Sequence, residues 1–148
     1  MAALLLSLSA RDAKAEDIAA LPLAPPLLVH SGGKPTTAWK QFCIYLPDEC
    51  RIDLAEPALV TLTPEMWHLL KTTNKRVNVS IRPKTDREHW GVEDRWNYPD
   101  DGYGDCEDFQ LLKRRLLIEA GLPRRALRMT VVADKEGYGH AVLIGPPP

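Results

Sequence analysis

Apolar positions recur at helical spacing in two stretches of the chain, and two short strand-like runs flank a turn in a third. Thr63-Pro64-Glu65 joins a capping residue, a proline suited to the first helical position and an acid in the first turn. Met66, Leu69, Leu70 and Val77 then follow near helical spacing, which predicts a packing helix. Its Trp67 and His68 read as core or rim residues. A second helix is predicted from Asp105, a strong N-cap residue, with Glu107 and Asp108 in its first turn. Phe109, Leu112, Leu116 and Ala120 give it one apolar stripe, and Gly121 with Pro123 ends it. Residues 127–133 then read as a strand, Asp134-Lys135-Glu136-Gly137 as a turn and His140 to Ile144 as a returning strand, a hairpin lying on the second helix.

The remaining segments lack such periodicity. Leu21 to Pro35 carries Pro22, Pro25, Pro26, Gly32 and Gly33 among apolar residues and suits an extended, surface-wrapped linker, assigned to residues 16–38. Between Arg82 and Gly104 the chain is rich in Pro, Asp and Gly, with Trp90, Trp96, Tyr98 and Tyr103 among them. A long aperiodic loop with four large aromatics is expected to be ordered and to build one wall of a site, although Trp90 and Trp96 fit a core equally well. At the N-terminus, Ala2 to Ala10 is apolar but far below the roughly 18 residues of a membrane span. Ala13-Lys14-Ala15 follows with the small-x-small pattern of a signal-peptidase site, so residues 1–15 read as an export signal, the alternative being a frayed helix.

Composition narrows the partners. The chain has 148 residues, 45% of them hydrophobic, enough for one domain with a single core. A net charge of -1 and the lack of any arginine-rich or aromatic-interleaved tract exclude nucleic acid and anionic lipid as expected partners. Three cysteines are an odd number, and an exported chain would pair two of them. Cys43 and Cys50 bracket a short loop closed by Pro47-Asp48-Glu49, and a disulfide is the favoured reading; a zinc site would need further ligands at tight spacing, which the sequence lacks.

Cys106 then stands as the odd thiol, in the first turn of the second helix, where unpaired N–H groups and the helix dipole favour a thiolate. Flanking acids oppose that ionisation, so the local residues leave Cys106 open between a nucleophile and a small buried hydrophobe. Gly139-His140 opens the returning strand, from which an imidazole can reach the helix start as general base. His30, His68 and His89 lack such placement.

Gly104-Asp105-Cys106-Glu107-Asp108-Phe109, Lys113-Arg114, Gly121-Leu122-Pro123 and Gly139-His140-Ala141-Val142-Leu143 together resemble the bacterial transglutaminase-like cysteine proteinases. The likeness extends upstream through Phe42-Cys43, Pro47, Cys50, Val77-Asn78, Trp90-Gly91 and Trp96. It implies an α+β fold with a papain-like core, in which the helix bearing the cysteine packs on an antiparallel sheet over residues 39–148. It implies Cys106 as nucleophile, His140 as base, and a periplasmic or secreted location. Asp105 and Glu107 would help to bind calcium, or else cap the helix; no other cofactor is implied. The expected substrate is a protein, a surface adhesin among the family's examples, with an inner-membrane protein as regulator.

The resemblance places a third catalytic residue, an aspartate that orients the histidine, on a strand beyond the Gly-His segment, whereas this chain ends at Pro148. Asp134, in the turn, reads as a poor substitute. Impaired activity, an open sheet edge prone to self-association, and a non-catalytic binding module of the same fold are therefore expected alternatives. A cell-wall amide hydrolase is a third reading.

Overall fold

The structure is a computed structural model and describes residues 34–145. The expected export signal and the linker up to residue 33 lie outside the described residues. The linker stops earlier than expected: α1 (Thr37–Tyr45) already contains residues 37 and 38. Thr36 caps it by accepting a hydrogen bond from the Trp39 N–H at 3.1 Å. Its buried face, Ala38 and Phe42, meets Trp96 and Leu111 in one apolar cluster. A single turn, α2 (Pro47–Cys50), follows at Pro47, and the expected Cys43–Cys50 disulfide ties the two helices.

The packing helix forms as α3 (Pro64–Ser80), with the Thr63 hydroxyl accepting from the Met66 N–H. Val77 is fully buried, Leu69 and Leu70 pack on a second cluster made by Leu117, Leu122 and Leu127, and His68 is exposed beside Thr72.

The aperiodic stretch has more structure than expected. It contains β1 (Arg82–Pro83), the short helix α4 (Asp86–Trp90) and β2 (Tyr103–Gly104). Thr85 and Glu88 form a reciprocal capping box at the start of α4. β1 and β2 pair in parallel, and the amides of Arg82 and Lys84 donate to the carbonyls of Gly102 and Gly104, each at 2.9 Å. That short ladder carries the start of α4 alongside the start of the next helix.

The central element is α5 (Cys106–Glu119). Its buried side is displaced by one position from the expected stripe: Asp108, Leu111, Arg114 and Leu117 face inward, while Phe109, Leu112 and Leu116 are half-buried and Ala120 is exposed. The buried polar members have partners, as burial requires. Arg114 donates to the carbonyls of Leu127 (3.2 Å) and Glu49 (3.1 Å), and Asp108 accepts from the Asn97 N–H at 2.9 Å.

After a 3₁₀ turn at Arg124–Ala126, β3 (Arg128–Ala133) and β4 (Gly139–Ile144) form the expected antiparallel hairpin, with Val132 opposite His140. β4 packs on α5 through the buried Ala141. The architecture is α+β, with the cysteine-bearing helix between α3 and the hairpin. No helix among the described residues is long and apolar enough to cross a membrane.

Candidate active site

The site forms where the start of α5 meets the entry of β4 and the start of α4. Cys106 occupies the first position of α5, half-buried and free of any disulfide. Its Sγ accepts a hydrogen bond from the Ala141 N–H at 3.3 Å and donates one to the Glu107 carboxylate at 3.1 Å. The first of these bonds joins the thiol to the residue next to His140. Sequence reasoning had paired Cys106 and His140 across this junction, and the structure brings their backbones together there. Among the described residues no hydrogen bond links Sγ to the His140 ring; the ring Nε2 instead lies 2.9 Å from Asp134 Oδ2. Asp134, which the sequence reads as a poor substitute for the third catalytic residue, thus contacts the histidine from within the turn.

The thiol's surroundings hold its proton. Burial pushes the Cys106 thiol up to about 11; the Ala141 N–H acts against this, and the Glu107 and Asp105 carboxylates add to it. The expected activation by the helix start alone is thus outweighed in this arrangement.

Asp105 sits at the N-cap position of α5 in extended backbone conformation, yet its side chain makes no capping bond. Its Oδ2 instead accepts from the Asp86 N–H at 3.1 Å, and its Oδ1 is buried without a partner. Asp86, at the start of α4, is 2% exposed and accepts a hydrogen bond from the Arg95 N–H. Ligand oxygens of Asp86, Asp105 and Glu107 all lie within 4.8 Å of one another. Asp108 adjoins them, with Oδ2 buried and unpartnered, as is the Oδ1 of Asn97. Burial raises the carboxyls of Asp86, Glu107 and Asp108, the last to about 7, and the neighbouring Asp105 raises all three further. Carboxylates gathered this closely, two of them with an orphaned oxygen and, among the described residues, none with a salt bridge to a basic side chain, suit a hard divalent cation. The capping alternative for Asp105 does not hold. Asp86 was missed from the sequence because it lies in the aperiodic stretch, 19 residues before Asp105.

A cleft of about 450 Å³ opens beside the thiol, lined by Asn78, Lys84, Glu88, Cys106, Phe109 and Lys113. The aromatic wall expected from Trp90 and Trp96 is not part of it. Trp96 is buried in the core against Trp39, and Trp90 stacks on His89 and under Arg95. His89 pairs with Asp101 at 2.7 Å, away from the thiol's own bonds.

No curated protein sequence matches the chain. Among solved structures, the calcium-bound LapG of Legionella pneumophila is similar, with 25% sequence identity and a TM-score of 0.48. The match covers 78% of this chain and 61% of that one, so the chain spans less than two-thirds of that protein's length. Residues 30–145 match the model of the bacterial transglutaminase-like cysteine proteinases (BTLCP), and this chain belongs to that family.

Proposed function

We propose that the chain is an exported cysteine endopeptidase in which Cys106 attacks a protein amide and His140 acts as general base. The observation that carries this reading is the 3.3 Å bond from the Ala141 N–H to Sγ, which sets the strand entry bearing His140 against a thiol at a helix start. His140 takes the thiol proton as Sγ bonds to the substrate carbonyl carbon. The first-turn N–H groups of α5, which have no intrahelical acceptor, are suited to steady the negative oxygen that develops. His140 then returns its proton to the departing amine, leaving a thioester that water hydrolyses. Asp86, Asp105 and Glu107 would hold a calcium ion, whose charge would offset the carboxylates that now keep the thiol protonated. The disulfide supports passage through an oxidising compartment, such as the periplasm. A surface adhesin is the proposed substrate class.

The test is incubation with a proteome-derived peptide mixture in calcium buffer, with new termini read by mass spectrometry. Cleavage should fall at least about 10³-fold in Cys106→Ala. Equal cleavage by the variant, or none by the parent chain, rejects the peptidase. The second of these outcomes favours a non-catalytic binding module, a reading supported by the bond in which the protonated thiol donates to the Glu107 carboxylate.

A further inference from the structure

Lys113 is 8% exposed, and its side chain has neither an ion pair nor a hydrogen bond among the described residues. Its Nζ lies over the Phe109 ring, 5.9 Å from the centroid, and a ring face replaces only part of what an ammonium loses on leaving water. Burial lowers its basicity, and no carboxylate offsets that. Lysine is almost never this buried without an anion. The adjacent Arg114 differs, being spent on the carbonyls of Leu127 and Glu49. Lys113 follows Cys106 by seven residues on α5, so the two share a helix face with Phe109 and Gln110 between them. Their Cα atoms are about 10 Å apart along the axis, and the Phe109 contact brings Nζ back one turn toward the thiol. Lys113 borders two cavities, the cleft beside Cys106 and another of about 350 Å³ between α3, α5 and β4. Phe109 lines only the first, which assigns the ammonium to the thiol's cleft. The acids lining that cleft are engaged elsewhere: Glu88 accepts from the Thr85 hydroxyl and N–H, and Asp105 accepts from the Asp86 N–H.

We infer that Lys113 is a specificity-determining residue that binds a carboxylate of the substrate, an Asp or Glu side chain two or three residues from the bond presented to Cys106. The inference rests on the reading of Cys106 as a peptidase nucleophile. An extended peptide advances about 3.3 Å per residue, so the 10 Å between the two Cα atoms corresponds to about three residues, less the backward lean of the side chain. The bound carboxylate supplies the anion that the protein itself withholds from the ammonium. Asn78 and Gln110, which share the cleft wall, carry amide N–H donors that make no hydrogen bond among the described residues and suit the remaining carboxylate lone pairs. Lys113 stands away from the reacting atoms, so it selects the peptide and takes no part in moving protons.

The experiment reads the cleft through Cys106 itself, the other two cysteines being paired. Alkylation by iodoacetate and by iodoacetamide, followed by intact-mass spectrometry, compares an anionic with a neutral reagent of nearly equal size. The iodoacetate-to-iodoacetamide rate ratio should fall at least about threefold in Lys113→Met and further in Lys113→Glu, and should be kept in Lys113→Arg. A ratio unmoved in the Met and Glu variants overturns the inference. The unaltered chain decides by itself if those variants do not fold: N-acetylaspartate methylamide should slow the iodoacetamide reaction more than its asparagine counterpart, and equal slowing overturns the inference. Neither measurement needs turnover. A chain that cleaves no peptide yet shows the carboxylate preference loses the peptidase reading and keeps the anion subsite. A chain that cleaves peptides without enrichment of Asp or Glu within three residues of the new termini keeps the first and loses the second.

Discussion

At position 104 a hydrogen is the largest substituent that fits. A Cβ there would stand 2.7 Å from Asp108 Cβ and 2.9 Å from its Oδ2, and Asp108 is fully buried with its other oxygen bonded to the Asn97 N–H. Neither side chain nor backbone can retreat without breaking that bond. Gly104→Ala should therefore cost about 1–3 kcal/mol, the usual penalty of overpacking a tight interior. Urea unfolding monitored by circular dichroism measures it, and an unchanged midpoint would show that Asp108 moves aside. The glycine is needed for space, in contrast to Gly102, whose φ of +85 makes it a matter of backbone conformation.

α5 shows which parts of the fold were legible in sequence. Its existence, its start at Cys106 and its end before Gly121 followed from cap and breaker residues, and the hairpin followed from two strand-like runs on either side of a turn. Its inward face did not, because patterning counts Asp108 and Arg114 as surface residues. They are buried because distant backbone groups satisfy them, Asn97 for one and Leu127 and Glu49 for the other. The same limit hid Asp86 and the contact of Asp134 with His140: each depends on where a carboxylate points, which spacing does not encode. The nearness of the Cys106 and His140 backbones, by contrast, was legible because each residue sits at the start of its element, where chain direction sets position.

Glu49 links α2 to this hub, bonding Arg124 at 2.8 Å and lying 3.7 Å from Arg114. Burial alone would raise its carboxyl, but the Arg124 and Tyr98 hydrogen bonds and the two guanidinium charges outweigh it, and the net shift is downward. A carboxyl lowered on folding contributes stability above its unfolded pKa and loses it as pH falls through the folded value. Glu49→Gln should therefore be less stable than the parent by about 0.5–1 kcal/mol at neutral pH, the solvent-screened worth of such a pair. The gap should close in acid, below the ordinary glutamate pKa of 4.5. A gap that persists at low pH would assign the loss to packing.

Across the whole molecule, the acidic cluster draws Asp86 from the start of α4 and Asp105 and Glu107 from the start of α5, held side by side by the β1–β2 ladder. A cation bridging them would stabilise only the folded chain, since unfolding scatters the ligands. At calcium a hundredfold above its Kd the gain is about 2.7 kcal/mol, a rise in Tm of roughly 5–10 °C for a chain of this size. Calorimetry in calcium and then in excess chelator checks it, and an identical Tm in both would remove the cation from the site. The aromatic core next to this cluster carries its own marker. Trp39 on α1 meets the buried Trp96 edge-on, with ring centroids 5.3 Å apart at 71°. Two indoles so close and so inclined couple their electronic transitions, which gives the docking of α1 an intrinsic optical signal that is lost when the helix lifts away.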